Sequence, residues 1–153
     1  MKVAIGSDHA GFALKQFVVA EVQRLGHEAI DCGVHNTQQA DFPDYAEIVG
    51  RALQNQEAER GILLCGSGVG VCIAANKMRG VRASITHDTY SAHQGVEHDG
   101  MNVMCLGGKI IGESLAGELI AAYLAAEFQS EDRFIRRVNK INRIEESSRT
   151  SEE

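Results

Sequence analysis

A chain of 153 residues with 44% hydrophobic and 24% charged residues has the composition of an ordinary globular protein. It is large enough to bury a full core as one domain and is unlike disordered or collagen-like chains. A formal net charge of −6 lacks the basic field that a general nucleic-acid or anionic-membrane surface needs, so any anion site must be local. No window approaches the ~18 apolar residues that cross a bilayer, and the opening MKVAIGSDHAGF turns polar too early for a signal peptide. Cys32, Cys65, Cys72 and Cys105 include no CxxC pair, so the expectation is a cytoplasmic protein with free thiols.

Short apolar runs alternate with longer amphipathic ones. KVAIG (2–6) reads as a buried strand, followed by a helix from Gly11 to Leu25 with Phe12, Leu14, Phe17, Val18, Val22 and Leu25 at helical spacing. A second strand is expected near Glu28 to Cys32, then a polar loop from Gly33 to Asp44 holding Pro43, the only proline, and a helix from Tyr45 to Asn55. RGILLC is the third strand and Val69 to Lys77 the third helix. VRASI (81–85) is the fourth strand, Thr89 to His98 a helix, NVMCLG (102–107) the fifth strand, Glu113 to Phe128 a long helix, and Asp132 to Glu145 the last. Residues 1–146 are thus expected to be one domain ending in a helix, with 147–153 (SSRTSEE) a polar, disordered tail.

Strands that read as near-continuous apolar runs, alternating with helices, predict an α/β three-layer sandwich. Its centre is a doubly wound parallel five-stranded sheet, Rossmann-like or flavodoxin-like. Ligands of such sheets bind beyond the carboxyl ends of the strands. The segments there are Ser7 to Gly11, Gly33 to Tyr45, Cys65 to Gly70, Thr86 to Ser91 and Gly107 to Gly112.

The most informative of them is ILLCGSGVGVCIAANK (62–77), where a strand ends on a thiol and runs into three alternating glycines. The backbone N–H groups of Gly66, Ser67, Gly68, Val69 and Gly70 can converge on an anion. A GxxxxGK[ST] phosphate loop is absent, and the GxGxxG fingerprint fails because its third glycine falls on Val71, although Asp88 lies near the offset of its acidic residue. An ordinary thiol, with a pKa of ~8.5, is only slightly ionised at neutral pH, and N–H groups at a helix start favour its thiolate. Cys65 is therefore the candidate reactive thiol, whereas Cys32, Cys72 and Cys105 read as packing residues. Asp8 and His9 follow the first strand, and Asp8 alone would serve as a helix cap. His87, Asp88, His93, His98 and Asp99 crowd one segment without HExxH or another zinc spacing. His93 reads as a surface residue, and His98 as either a capping cation or an acid/base group. Arg133, Arg136, Arg137, Lys140, Arg143 and Arg149 put 6 of the 15 Lys and Arg residues into the last 21 positions, by default a solvated helix face.

Taken together, GSDHAGF, DFPDYA (41–46), GILLCGSGVGVCIAANK, GVRA (80–83), EHDGMNV, CLGGKIIG and the late arginines resemble the type B ribose-5-phosphate isomerases over about residues 2–145. The wider family also holds isomerases of galactose 6-phosphate and of tetrose phosphates. The resemblance implies a cofactor-free, metal-free aldose–ketose isomerase interconverting ribose 5-phosphate and ribulose 5-phosphate. It also implies a homodimer or dimer of dimers with active sites shared between subunits, and neither nucleic acid nor membrane as partner. By position, Cys65 resembles the base moving a proton between C2 and C1, Gly66 to Gly70 the enediolate's anion hole, Ser67 a hydroxyl acting on sugar oxygens, and His98 the ring-opening acid/base. Asp8, His9 and Tyr45 match substrate contacts, Arg133 and Arg137 match phosphate ligands, and Lys109 stands where some relatives have arginine.

That chemistry suits the residues. Isomerisation needs one group that takes a proton from carbon and returns it to the next. Preorganised N–H donors stabilise the oxyanion that forms, each worth ~3–4 kcal/mol in comparable sites. Arginines four apart on a helix can clamp an unreactive phosphate. Two departures from the family pattern stand out. Asp99 replaces an asparagine common in relatives, removing an amide donor and pointing to another sugar phosphate, such as a tetrose 4-phosphate or hexose 6-phosphate. Lys109 keeps a charge without the bidentate fork. Outside this chemistry, the alternatives are a non-catalytic nucleotide-binding module using the glycine turn and a redox sensor built on Cys65.

Overall fold

In the computed structural model, which describes residues 1–150, five strands form one parallel sheet in the order β2-β1-β3-β5-β4. They are β1 (Lys2–Ser7), β2 (Glu28–Asp31), β3 (Arg60–Cys65), β4 (Ala83–Ile85) and β5 (Val103–Gly107). The helices are α1 (Phe12–Arg24), α2 (Phe42–Gln54), α3 (Val69–Ala75), α4 (Thr89–Asp99), α5 (Glu113–Ala125) and α6 (Asp132–Arg149). The first three strands follow the flavodoxin order, and β5 then inserts between β3 and β4. Burial explains the exchange: all five residues of β5 are buried, whereas β4 has three residues, none fully buried, and suits an edge.

Alternation along the strands sends side chains into two cores. Val3, Ile5, Ile62, Leu64, Met104 and Leu106 pack with α1, α4 and α5 on one face. Ala4, Leu63, Cys65, Val103 and Cys105 pack with α2 and α3 on the other. The result is the three-layer sandwich. The chain leaves β1 for β2 on one side and returns to β3 on the other, so the carboxyl ends of β1 and β3 border the switch point where such sheets bind ligands. Asp8 and Gly66 are the first residues past those two ends.

Several boundaries differ from the sequence expectation. α2 begins at Phe42 rather than Tyr45, with Pro43 in its first turn, where the missing N–H costs nothing. β4 starts at Ala83 rather than Val81, because Arg82 N–H donates to Asn102 Oδ1 and Ala83 N–H to Asn76 Oδ1. α5 stops at Ala125 rather than Phe128, and the Arg60 guanidinium bonds the carbonyls of Tyr123 and Ala126 at its end. α6 runs to Arg149 instead of Glu145, into the segment expected to be a disordered tail. Its extra turn is anchored by Gly80 N–H donating to Glu145 and by Arg149 donating to Lys77 O at 3.1 Å. Residues 151–153 of that tail lie outside the described residues.

Candidate active site

Cys65 closes β3 and is 5% exposed, its side chain on the α2/α3 face. Gly68 N–H donates to its Sγ at 3.1 Å, and Val69 N–H is taken by Ser67 Oγ at 3.2 Å. Two of the five N–H groups expected to form an anion hole are thus already engaged, one of them by the thiol itself. Among the described residues this leaves the N–H groups of Gly66, Ser67 and Gly70. The glycines are bare for different reasons. Gly68 has φ +82°, and a Cβ there would come within 3.1 Å of the Leu106 carbonyl carbon. A Cβ on Gly70 would lie 2.8 Å from the Phe42 ring. At Gly66 the nearest atom is Lys109 Cδ at 3.5 Å, an ordinary contact with a flexible side chain, so packing does not explain the glycine.

The turn is held from both sides. Gly108 N–H donates to Cys65 O and Lys109 N–H to Gly66 O, which lays the exposed Lys109 side chain beside Gly66. Gly107, at the end of β5, donates to His87 Nε2 at 3.0 Å. Burial pushes His87 below the usual imidazole range against the pull of Asp88, which suits a ring nitrogen that accepts. Across the switch point, the buried Asp8 carboxylate accepts Gly11 N–H at 3.1 Å through Oδ1. His9 Nδ1 accepts Ala40 N–H at 3.1 Å. Tyr45, on α2, packs its ring edge against Gly33, whose φ is +93°. Cys65, Gly66 to Gly70, Asp8, His9, Tyr45 and Lys109 therefore belong to the loops and helix starts at the carboxyl ends of β1, β2, β3 and β5.

The remaining predicted residues form a second group, on α4 and α6. The His98 ring stacks on the buried Phe134 with centroids 4.2 Å apart and planes 12° apart. Arg133 and Arg137 cover the same phenyl ring, their guanidinium carbons 4.6 and 6.0 Å from its centroid. One phenylalanine thus organises both the imidazole and the arginine pair. Arg133 also bonds Glu131 at 3.1 Å, while Arg137 makes no ion pair among the described residues. Asp99 lines a cavity of about 790 Å³ between β4, α4 and α6, together with Gln94, Arg82, Thr86 and Ile141. Cys65 does not line it. Among the described residues, no hydrogen bond, ion pair or ring contact joins the thiol group to the His98 group.

Sequence reasoning passed over several features. Phe134 and Gln94, partners of His98, gave no signal as a residue type. His87 was seen only as one member of a titratable cluster. Cys72 Sγ donates to Ala83 O at 3.6 Å, and the neighbouring Cys105 thiol holds the Cys72 pKa down, to about 7, against the effect of burial, while Cys105 itself is pushed well up. Two buried hydroxyls, Ser7 and Thr86, flank the carboxyl ends of β1 and β4 without a partner among the described residues. No cluster of three or more potential metal ligands occurs among those residues, and no helix is long and apolar enough to cross a membrane.

Residues 3–141 match the model of the family described as Ribose/Galactose Isomerase. The chain is 40% identical over 145 residues to ribose-5-phosphate isomerase B of Escherichia coli K12, an alignment covering 95% of this chain and 97% of that one. It is 40% identical over 130 residues to D-erythrulose-4-phosphate isomerase of Pectobacterium atrosepticum, covering 84% and 86%. Its fold superposes on ribose-5-phosphate isomerase B of Clostridium thermocellum with a TM-score of 0.93 at 40% identity, covering 97% of this chain and 99% of that one. On the family match and the likeness of sequence and fold alike, the chain belongs to the ribose/galactose isomerase family, among the type B ribose-5-phosphate isomerases, and is an isomerase.

Proposed function

We propose that the chain interconverts ribose 5-phosphate and ribulose 5-phosphate without a cofactor, Cys65 acting as the base, in a homodimer whose active sites each take residues from both subunits. The observation that carries this reading is the division of the predicted site into a thiol half and a basic half that no hydrogen bond, ion pair or ring contact joins among the described residues of one chain. A second copy that presents His98, Asp99, Arg133 and Arg137 to Cys65 completes the set. The exposed apolar side chains of Val69 and Ile73 on α3, the helix that leaves the thiol turn, support a covered face beside Cys65.

On the open-chain aldose, the Cys65 thiolate takes the proton from C2. The C–H electron pair forms the C1–C2 double bond, and the carbonyl pair moves onto O1. The N–H groups of Gly66, Ser67 and Gly70 stabilise that oxyanion. The O2 hydroxyl proton passes to O1, with the Ser67 hydroxyl in reach of the turn, and the Cys65 S–H returns its proton to C1 as the C2 carbonyl forms. Arg133 and Arg137 hold the phosphate, and that binding fixes the reacting end. Asp99, a carboxylate in place of an amide, favours a second reading in which a tetrose 4-phosphate is preferred, the substrate class named for the Pectobacterium relative.

Two measurements test the proposal. In a panel of ribose 5-phosphate, erythrulose 4-phosphate and hexose 6-phosphates, ribose 5-phosphate should give the highest kcat/KM; a higher value for the tetrose replaces the pentose assignment. Co-expressed, differently tagged Cys65→Ala and His98→Ala chains should yield an isolable heterodimer with about half the wild-type activity, since one of its two sites is intact. An inactive heterodimer, or none, removes the shared site.

A further inference from the structure

His98 has two ring nitrogens, and the fold treats them differently. Gln94 lies one turn earlier on α4, and its Nε2 sits 3.0 Å from His98 Nδ1. With the carboxamide placed nitrogen-first toward the ring, Nδ1 accepts, and the single proton of the neutral ring is left on Nε2. Nε2 has no partner among the described residues. The ring plane is set independently by the stack on Phe134, 2% exposed. The helix carrying both side chains is seated in the core through Ala92 and Val96. Glu97, the carboxylate on the turn between Gln94 and His98, is bonded to His93 at 3.0 Å and leaves Nδ1 to the amide.

We infer that Gln94 is a positioning residue that holds His98 in its Nε2–H tautomer, so that the ring offers a proton donor, not an acceptor, to the ring oxygen of a furanose substrate. The inference rests on the isomerase reading above for its substrate, though not for its geometry. In ring opening, the bond from C1 to the ring oxygen breaks and the anomeric hydroxyl loses its proton to water as C1 becomes a carbonyl. The freed oxygen takes a proton through Nε2, which is restored from water. With the proton on Nδ1, Nε2 would present a lone pair to that oxygen and obstruct the step.

The test compares wild type with Gln94→Leu and Gln94→Glu at about pH 9, well above the ordinary imidazole range. Histidine side-chain 15N spectra, with His98 assigned from a His98→Ala sample, should show Nε2–H in the wild type, a tautomer mixture in Gln94→Leu and Nδ1–H in Gln94→Glu. Turnover of ribose 5-phosphate should fall severalfold in Gln94→Leu and about tenfold further in Gln94→Glu, the variant closer in shape but opposite in hydrogen bonding. A packing role predicts the reverse order, because glutamate nearly preserves the volume of glutamine. An Nδ1–H signal in the wild type, or a Gln94→Glu enzyme more active than Gln94→Leu, overturns the inference. A wild type that turns over no sugar phosphate but shows Nε2–H would sink the isomerase reading and leave the tautomer standing.

Discussion

The two halves of the candidate site are built in opposite ways. Around Cys65 nearly every contact runs through the backbone: Gly68 N–H to Sγ, Gly108 N–H to Cys65 O and Lys109 N–H to Gly66 O, all hung from the ends of central strands. Around His98 the contacts are made by side chains on two helices, gathered on one buried phenyl ring with both arginines exposed. On the proposed reading, a thiol that must meet a carbon within tenths of an ångström sits where the sheet leaves least freedom, and charges that would grip a remote phosphate have a softer mount. This contrast predicts a split in kinetics. Cys65→Ala should lower kcat by about 10²–10⁴ with KM nearly unchanged. Arg137→Ala should raise KM by about 10–100-fold, the loss of a charge-assisted hydrogen bond, with kcat within a fewfold of wild type. Steady-state kinetics on ribose 5-phosphate check both, and an Arg137→Ala enzyme that loses kcat alone would place the arginine nearer the chemistry than α6 suggests.

The same contrast explains what could be read in advance. The thiol half was visible because its parts are contiguous: a strand ending in cysteine followed by alternating glycines announces a turn stripped of side chains, and Ser7, Asp8 and Gly66 fall at strand ends that hydrophobic patterning already locates. The sheet order escaped the pattern because short β4 and buried β5 exchange places on grounds of burial that periodicity does not encode. The basic half was named only through the family resemblance, because its arrangement is tertiary. Arg133 and Arg137 look like any solvated helix face, and nothing local says that Phe134 between them stacks on a histidine 36 positions earlier. Gln94 is more hidden still, since its relation to His98 is an i,i+4 spacing shared by many helix pairs.

The glycines of the turn sharpen the comparison at intermediate cost. Gly70→Ala places a methyl 2.8 Å from the Phe42 ring and should destabilise the fold by about 1–3 kcal/mol through overpacking. Phe42→Leu in the same chain should recover part of that loss, a coupling expected of residues in contact. Gly66→Ala meets nothing closer than Lys109 Cδ at 3.5 Å. Its thermal midpoint should stay near wild type while kcat falls, because the new methyl intrudes where the substrate oxygen approaches. Thermal unfolding and kcat measured on the same preparations separate the two glycines. If Gly66→Ala retains full turnover, no substrate oxygen approaches Gly66 closely and its N–H group is not the oxyanion's partner.

The smallest effect concerns the ion pairs that support each half. On the thiol side, Lys15 is 1% exposed and donates to Asp31 Oδ1 at 2.5 Å. The same oxygen accepts Gly33 N–H at 3.0 Å, and Ser7 N–H and Val34 N–H tie this loop to the end of β1 beside Asp8. Burial alone would raise the Asp31 pKa, yet the Lys15 ammonium and the Gly33 N–H outweigh it and hold the carboxyl below the usual range. A carboxylate depressed on folding contributes stability above its unfolded pKa of ~3.9 and loses it as pH falls through the lower folded value. Asp31→Asn should therefore cost about 1–3 kcal/mol at neutral pH, less than a fully buried pair because Asp31 is 35% exposed. The difference from wild type should shrink below about pH 4, where Asp31 of the unfolded chain takes up its proton, and vanish once the folded carboxyl is neutralised too. On the other side, Glu131 is 56% exposed in its pair with Arg133, and Glu131→Gln should change stability by less than about 0.5 kcal/mol at any pH. Denaturant titrations of the three proteins at neutral and acid pH make the comparison. An Asp31→Asn penalty that persists undiminished into acid would mean that Asp31 supports the loop through hydrogen-bond geometry rather than through its charge.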